Sequence, residues 1–365
     1  MNQDEWNNYC NWYYNYYNPY LYSTNNINES YIPPTNNKHK ININNSNTYI
    51  PPHKRHIKKK KMEINNFNDL VKLSNHIDEY YVKNIDIHIL RKMRYSLNKL
   101  DNMIGLDDIK EKIFYQLIFF LQKLDNVNND MLHTIIEGEP GLGKTELAKI
   151  LGDIYCCLRN FNKFHSLKRS DLVGEYLGQT AVKTQKKLTE CLNGVVFIDE
   201  AYSLGNNEKK DSYSKEAIDT ITSFLSENKQ NIIVIIAGYK DELNNCFFNY
   251  NKGLERRFPW RYSIDKYNSK ELLQIFKYIS FKNKWKIDKS VNVSFFDKNY
   301  DLFKNNGGDC EILFHKVKLI YSKKRLNNNQ KKYKTITIDD LDDSLNLFKL
   351  NKNIDNKNNY IDMYS

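Results

Sequence analysis

The sequence predicts an α/β fold: a five-stranded parallel sheet flanked by helices, followed by a small α-helical domain. Three observations carry this expectation. Short, nearly continuous apolar runs recur at 134–136, 194–198 and 232–237, the signature of strands buried on both faces. Segments with helical apolar spacing separate them, so strand and helix alternate as a parallel sheet requires. After Tyr267 the strand signals stop and three helical stretches follow.

Taken in order, residues 1–62 are low in complexity, with Tyr and Asn dominating 12–26 and Asn, Pro and Lys dominating the rest. No period there would build a core, so this tail is expected to be disordered. Tyr31-Ile-Pro-Pro34 recurs as Tyr49-Ile-Pro-Pro52, either a duplicated docking motif or drift in an Asn-rich segment. Residues 53–61 are strongly basic, read as a solvated charge run, with a nuclear signal or phosphate grip as the alternatives.

Residues 63–100 form a helical linker: Leu70, Leu73 and Ile77, then Ile89, Met93 and Leu97, lie at helical spacing. The α/β core runs over 101–265. A long helix is expected over 108–124, strands at 134–136, 164–167, 194–198, 232–237 and 260–264, and helices at 146–151, 180–192 and 214–225. The helical domain runs over 266–350, with helices at 269–281, 310–321 and 339–350, and Asn268 and Ser269 offer caps for the first. Residues 351–365 read as a polar tail.

Composition bounds the function classes. The formal charge is +11, but residues 1–61 hold eight Lys/Arg against Asp4, Glu5 and Glu29, so +5 of it sits in the tail. Six cysteines show no C-x-x-C pair and no metal-ligand spacing with the eight histidines, which fits reduced thiols in a cytoplasmic compartment. The longest apolar run, 113–121, is broken by Gln116 and is far short of a membrane span. The first residues, Asn-Gln-Asp-Glu-Trp after Met1, do not read as a secretory signal.

The chemistry concentrates in two places. Gly138-Glu139-Pro140-Gly141-Leu142-Gly143-Lys144-Thr145 fits G-x-x-x-x-G-K-[ST], with a strand before it and a helix opening at Glu146 behind it. Glycines let successive backbone N–H groups turn inward to cradle phosphates, and the helix N-terminus adds positive potential. Lys144 is placed to reach β- and γ-phosphates, and the Thr145 hydroxyl to hold Mg²⁺. Fifty-five residues after Lys144, an apolar strand ends in Asp199-Glu200. Asp199 is placed to hold Mg²⁺ through water, and Glu200 to orient or deprotonate an attacking water. Arg256 and Arg257 precede the fifth strand, either as γ-phosphate ligands or as a surface basic pair.

Beyond these motifs, the stretches at 170–180 (Ser-Asp-Leu-Val-Gly-Glu-Tyr-Leu-Gly-Gln-Thr), 196–203 (Val-Phe-Ile-Asp-Glu-Ala-Tyr-Ser) and 235–239 (Ile-Ile-Ala-Gly-Tyr) resemble the CbbX and stage V sporulation protein K group of AAA+ ATPases. The versions encoded by large DNA viruses are the most similar, and the likeness runs from about Leu100 to Phe348. The resemblance implies a homo-oligomer, a hexameric ring that hydrolyses ATP with Mg²⁺ between subunits and pulls on a protein substrate. It implies that Ile104 and Gly105 contact adenine, that Tyr176-Leu177-Gly178 is an aromatic pore loop, that Arg257 reaches a neighbour's site, and that the helical domain is a lid. A nucleic-acid substrate held by the basic tail is the alternative; no DNA-reading module accompanies it. A nucleotide-gated scaffold with little turnover is another. Two departures stand out. Ala237-Gly238 occupies the strand end where many AAA+ proteins carry a polar sensor, and no arginine lies near Gly308, where the second sensor is expected.

Overall fold

The computed structural model describes residues 59–126, 129–176, 178–205, 212–327 and 334–361. The Tyr-Ile-Pro-Pro repeat, the basic run as far as residue 58, and Leu177 lie outside the described residues.

Two helices open the described chain, α1 (Phe67–Asn75) and α2 (Ile87–Asp101), capped by the side chains of Asn66 and Asp86. Each cap satisfies N–H groups that the first helical turn leaves without partners. Then follow α3 (Asp107–Leu121), β1 (Thr134–Gly138), α4 (Lys144–Arg159), β2 (Lys163–Leu167), α5 (Thr180–Glu190), β3 (Gly194–Ile198), α6 (Ser212–Glu227), β4 (Ile232–Gly238) and β5 (Trp260–Ile264). The helical domain consists chiefly of α7 (Ser269–Lys282), α8 (Asn306–Asn327) and α9 (Ile338–Ile361).

The five main strands form one parallel sheet in the order β2-β3-β4-β1-β5. Every residue of β3 and β4 is buried, because helices cover both faces. Side chains alternate between the faces as the two-residue period demands. Ile136, Val195, Phe197, Ile233, Ile235 and Ala237 join the core beneath α2, α3 and α4, whereas Ile135, Val196, Ile198, Ile232, Val234 and Ile236 join the core with α5 and α6. Each fully buried Ile, Val or Leu contributes about 1.5–3 kcal/mol in transfer free energy.

The helical domain has an aromatic centre. Phe276, Phe296, Phe303 and Phe348 are buried together, and Trp285 packs edge-on against Phe314 and Tyr321. Its first helix carries a capping box, with the Asn268 side chain accepting from the Glu271 N–H and Glu271 accepting from the Asn268 N–H.

Most element positions agree with the sequence expectation, and the differences have physical causes. The last helix runs on through 351–361, where a polar tail is expected, because polar side chains do not end a helix that a buried first half has already nucleated. Lys60–Lys61 pairs in parallel with Tyr80–Tyr81, and Lys286–Ile287 with Thr335–Ile336. Two-residue ribbons are too short to leave a sequence period. The described chain at 59–61 is therefore held against the segment that follows α1, with the Lys59 ammonium donating to the Ile77 carbonyl at 2.8 Å.

Gln116, which interrupts the apolar run of α3, is fully buried and accepts from Tyr262 Oη at 2.7 Å and from Tyr155 Oη at 3.2 Å. Replacing one member of such a network strands the others. Gln116→Leu should destabilise the protein by about 1–3 kcal/mol. Adding Tyr262→Phe should recover part of that loss in urea unfolding. Equal stability of parent and Gln116→Leu would show that the network contributes nothing.

Candidate active site

Because the sheet is parallel, the C-terminal ends of β3, β4 and β1 lie side by side, and the residues that follow them meet at one edge. The loop after β1 turns through Gly141 and Gly143, with φ of +74° and +82°, in the left-handed region that glycine enters without steric cost. Gly143 is the N-cap of α4, and the Leu147 N–H returns to its carbonyl at 2.9 Å. The loop thus delivers its N–H groups and the N-terminus of a 16-residue helix to the same place.

Lys144 is half-buried there. Its Nζ donates to the Gly138 carbonyl at 2.7 Å and the Glu139 carbonyl at 2.8 Å, and lies 4.9 Å from the centre of the Tyr239 ring. Burial lowers its pKa, offset in part by the charges of Asp199, Glu139 and Glu200. Thr145 Oγ1 donates to Asp199 Oδ2 at 2.7 Å, so the end of β3 touches the start of α4. The other Asp199 oxygen accepts from the Glu200 N–H at 3.0 Å. Glu200 is exposed and has a left-handed backbone, φ +50° and ψ 44°. The structure therefore brings together Gly138 through Thr145, Asp199 and Glu200. A hydroxyl and a carboxylate in contact are hard oxygen donors of the kind Mg²⁺ prefers. Among the described residues no group of three His, Cys, Asp or Glu would hold a metal by itself. That donor set fits an ion bound through one or two protein ligands plus substrate phosphates.

The remaining predicted residues sit around this centre. Glu139 is exposed, Pro140 half-buried, Leu142 buried, and Glu146 exposed in the first turn of α4. Ile104 and Gly105 are half-buried just before α3, Gly105 with φ +66° beside Tyr267 and Glu271. Tyr267 was not singled out by sequence reasoning, yet it holds the glycine loop to the helical domain. It donates from Oη to the Leu142 carbonyl at 2.9 Å, its N–H is 3.3 Å from Asn306 Oδ1, and its carbonyl accepts from Tyr300 Oη at 2.9 Å. Burial pushes its hydroxyl up to about 12, so it remains a donor. A tyrosine just past the last strand is the only sequence cue.

The helical domain meets the loop backbone to backbone. Gly307 N–H donates to the Gly141 carbonyl at 3.1 Å, and Asn306 Nδ2 to the Pro140 carbonyl at 3.2 Å. A Cβ on Gly141 would stand 2.0 Å from the Asn305 carbonyl oxygen. This close approach occupies the region where the sequence lacks the second sensor arginine.

Two other predicted elements lie apart from Lys144. Tyr176 is 67% exposed. Gly178 has φ +79° with open space around it, whereas Gly174 is tightly closed, its N–H donating to Thr180 Oγ1 at 3.0 Å. Arg257 is half-buried: Nε donates to Ser226 Oγ at 2.9 Å, and its terminal nitrogens contact Ser226 and the Gly253 carbonyl. Its charge adds to the burial that holds the His133 imidazole down at about 3. Arg256 beside it is exposed.

Residues 134–259 match the family described as the ATPase family associated with various cellular activities (AAA). A CfxQ-like protein of Acanthamoeba polyphaga mimivirus is 39% identical over 288 residues, covering 77% of this chain and 71% of its own length. Stage V sporulation protein K of Bacillus subtilis is 36% identical over 187 residues, 49% of this chain and 58% of that protein. A CfxQ homologue of Galdieria sulphuraria is 36% identical over 195 residues, 50% and 63%. The chain thus spans little more than half of the bacterial relative.

The arginine geometry gives a direct expectation. Arg257→Ala should lower stability by about 1–3 kcal/mol, since it removes charged hydrogen bonds to Ser226 and Gly253. Arg256→Ala should change it by no more than about 0.5 kcal/mol. Thermal unfolding of the two variants compares them, and equal melting points would show that the Arg257 contacts do not hold in solution.

Proposed function

We propose that this chain, which belongs to the CfxQ and stage V sporulation protein K branch of the AAA ATPases and is an ATP hydrolase, works in a homo-hexameric ring that threads or remodels a protein partner. The observation that supports threading most is Tyr176, a large aromatic at 67% exposure on a loop that ends in the unhindered, left-handed Gly178. An amphipathic ring with few torsions grips varied sequences at low entropic cost.

In this reading the nucleotide lies across the edge where β1, β3 and β4 end. Lys144 gives up the Gly138 and Glu139 carbonyls for β- and γ-phosphate oxygens, and loop N–H groups cradle the rest. Thr145 and Asp199 would hold Mg²⁺, which when bound would supply positive charge to the phosphates. Glu200, exposed at the same edge, orients the attacking water and accepts its proton. Ile104 and Gly105 border the base. Charge on the transferring phosphoryl is met by an arginine from the neighbouring subunit. If that arginine is Arg257, it must exchange Ser226 and Gly253 for the phosphate; exposed Arg256 stands next to it. The cytoplasm, or the nucleus if residues 53–61 act as a signal, is the compartment this reading assigns.

No helix among the described residues is long and apolar enough to cross a membrane.

The reading is tested with a probe of each substrate class. An unfolded, carboxymethylated polypeptide should raise ATP turnover, single-stranded DNA should not, and Tyr176→Ala should abolish the stimulation. Light scattering in ATP should give the mass of a hexamer. Stimulation by DNA alone would overturn threading in favour of a nucleic-acid motor, and a polypeptide response that survives Tyr176→Ala would remove the pore-loop assignment.

A further inference from the structure

We propose that Tyr202 is a positioning residue for Glu200 and that Tyr239 holds it in register with Lys144, so that a stacked tyrosine pair does the work of the polar side chain missing from the end of β4. The inference rests on the ATPase reading and adds two residues to it.

Three contacts carry it. First, β4 ends in Gly238, and a Cβ at that position would lie 2.9 Å from Tyr202 Cδ1 and 3.0 Å from Leu243. The sensor side chain is therefore not merely lost. Its space is taken by Tyr202, and only glycine lets the ring approach the strand that closely. Second, the Tyr202 and Tyr239 rings stack, with centroids 5.4 Å apart and planes 21° from parallel. Third, the Tyr239 ring lies 4.9 Å from the Lys144 ammonium, within range of a cation–π attraction. A continuous line of contact thus runs from the lysine of the phosphate loop through Tyr239 to Tyr202.

The line ends at Glu200 for a local reason. Glu200 adopts a left-handed backbone, uncommon for a side chain with a Cβ, and the Ser203 N–H closes on its carbonyl at 2.7 Å. That tight turn keeps Tyr202, two residues on, close enough to Glu200 for the Glu200 charge to act on its hydroxyl. Burial first, and the Glu200 charge second, raise the pKa of the Tyr202 hydroxyl, which therefore stays protonated. Tyr239 is raised for the same two reasons. A carboxylate only accepts hydrogen bonds and a protonated phenol donates one. A phenol O–H to a carboxylate is a charge-assisted bond, stronger than a neutral one, and it restricts where Glu200 points. Since Tyr239 rests against the lysine that grips the phosphates, the orientation of Glu200 becomes tied to the position of Lys144.

The test is ATP turnover and ATP binding by Tyr202→Phe, which keeps the ring, its stack and its fit against Gly238 but loses the donor. Loss of a partner that orients a reactive group costs about 10–100-fold. The expected result is that drop in kcat, with the ATP dissociation constant and thermal midpoint close to the parental values. Tyr239→Leu, which removes the shelf, should lower kcat by a similar factor. The double variant should be no slower than the slower single one, since both act through Glu200. Parental kcat in Tyr202→Phe would overturn the proposal. So would losses that multiply in the double variant, or a loss of kcat matched by weaker ATP binding and earlier melting. Parental protein measured alongside separates the two levels: absence of parental turnover would contradict the ATPase reading itself, whereas parental turnover unchanged by Tyr202→Phe would contradict only the tyrosine pair.

Discussion

The parallel pairing of β3 with β4 and of β4 with β1 is the constraint on which the rest of the site depends. It fixes three strand ends at one edge, so residues far apart in the chain need only short side chains to meet. Thr145 reaches Asp199 across 54 positions with a single 2.7 Å hydrogen bond. The pairing is held by burial on both faces, since nearly every side chain of β3 and β4 sits in one of two hydrophobic cores. A one-residue slip in register would exchange the faces and bring every inward group into the wrong core. Stability and site geometry therefore share one cause.

A second constraint is close backbone approach. The loop at Gly141 admits no Cβ because the Asn305 carbonyl is there, and the strand end at Gly238 admits none because Tyr202 is there. In both places glycine gives up side-chain chemistry so that another element can come near. The helical domain thereby contacts the phosphate loop through Gly307 and Asn306 rather than through a long arginine. A backbone contact is shorter and stiffer than an arginine bridge, and it ties the loop directly to the helical domain.

Much of this was legible in the sequence because the responsible residue types are forced by local chemistry. A glycine loop followed by Lys144-Thr145 needs only its own strand and helix to make sense, and Asp199-Glu200 needs only a buried strand before it. The five strands were readable from apolar runs, and β5 (Trp260–Ile264) falls at the bounds its pattern gave. What was not legible depends on partners distant in the chain. Nothing near Arg257 announces that Ser226 will hold it, 31 positions away. Tyr267 is one tyrosine among 27 until the structure places its hydroxyl on the Leu142 carbonyl. Tyr202 and Tyr239 lie inside stretches that carry the family resemblance, but their stacking is a tertiary fact. The polar continuation of α9 to Ile361 was missed because composition describes solvent exposure better than it describes helix ends.

The central claim is that the edge formed by Lys144, Thr145, Asp199 and Glu200 binds ATP and hydrolyses it with separable roles for its two ends. The most direct measurement is ATP occupancy and phosphate release side by side for the parent, Lys144→Ala and Glu200→Gln. The account predicts that Lys144→Ala fails to retain nucleotide, and that Glu200→Gln retains ATP with Mg²⁺ but releases phosphate at least about a hundredfold more slowly than the parent, as loss of a general base requires. Phosphate release by Glu200→Gln at the parental rate would contradict it.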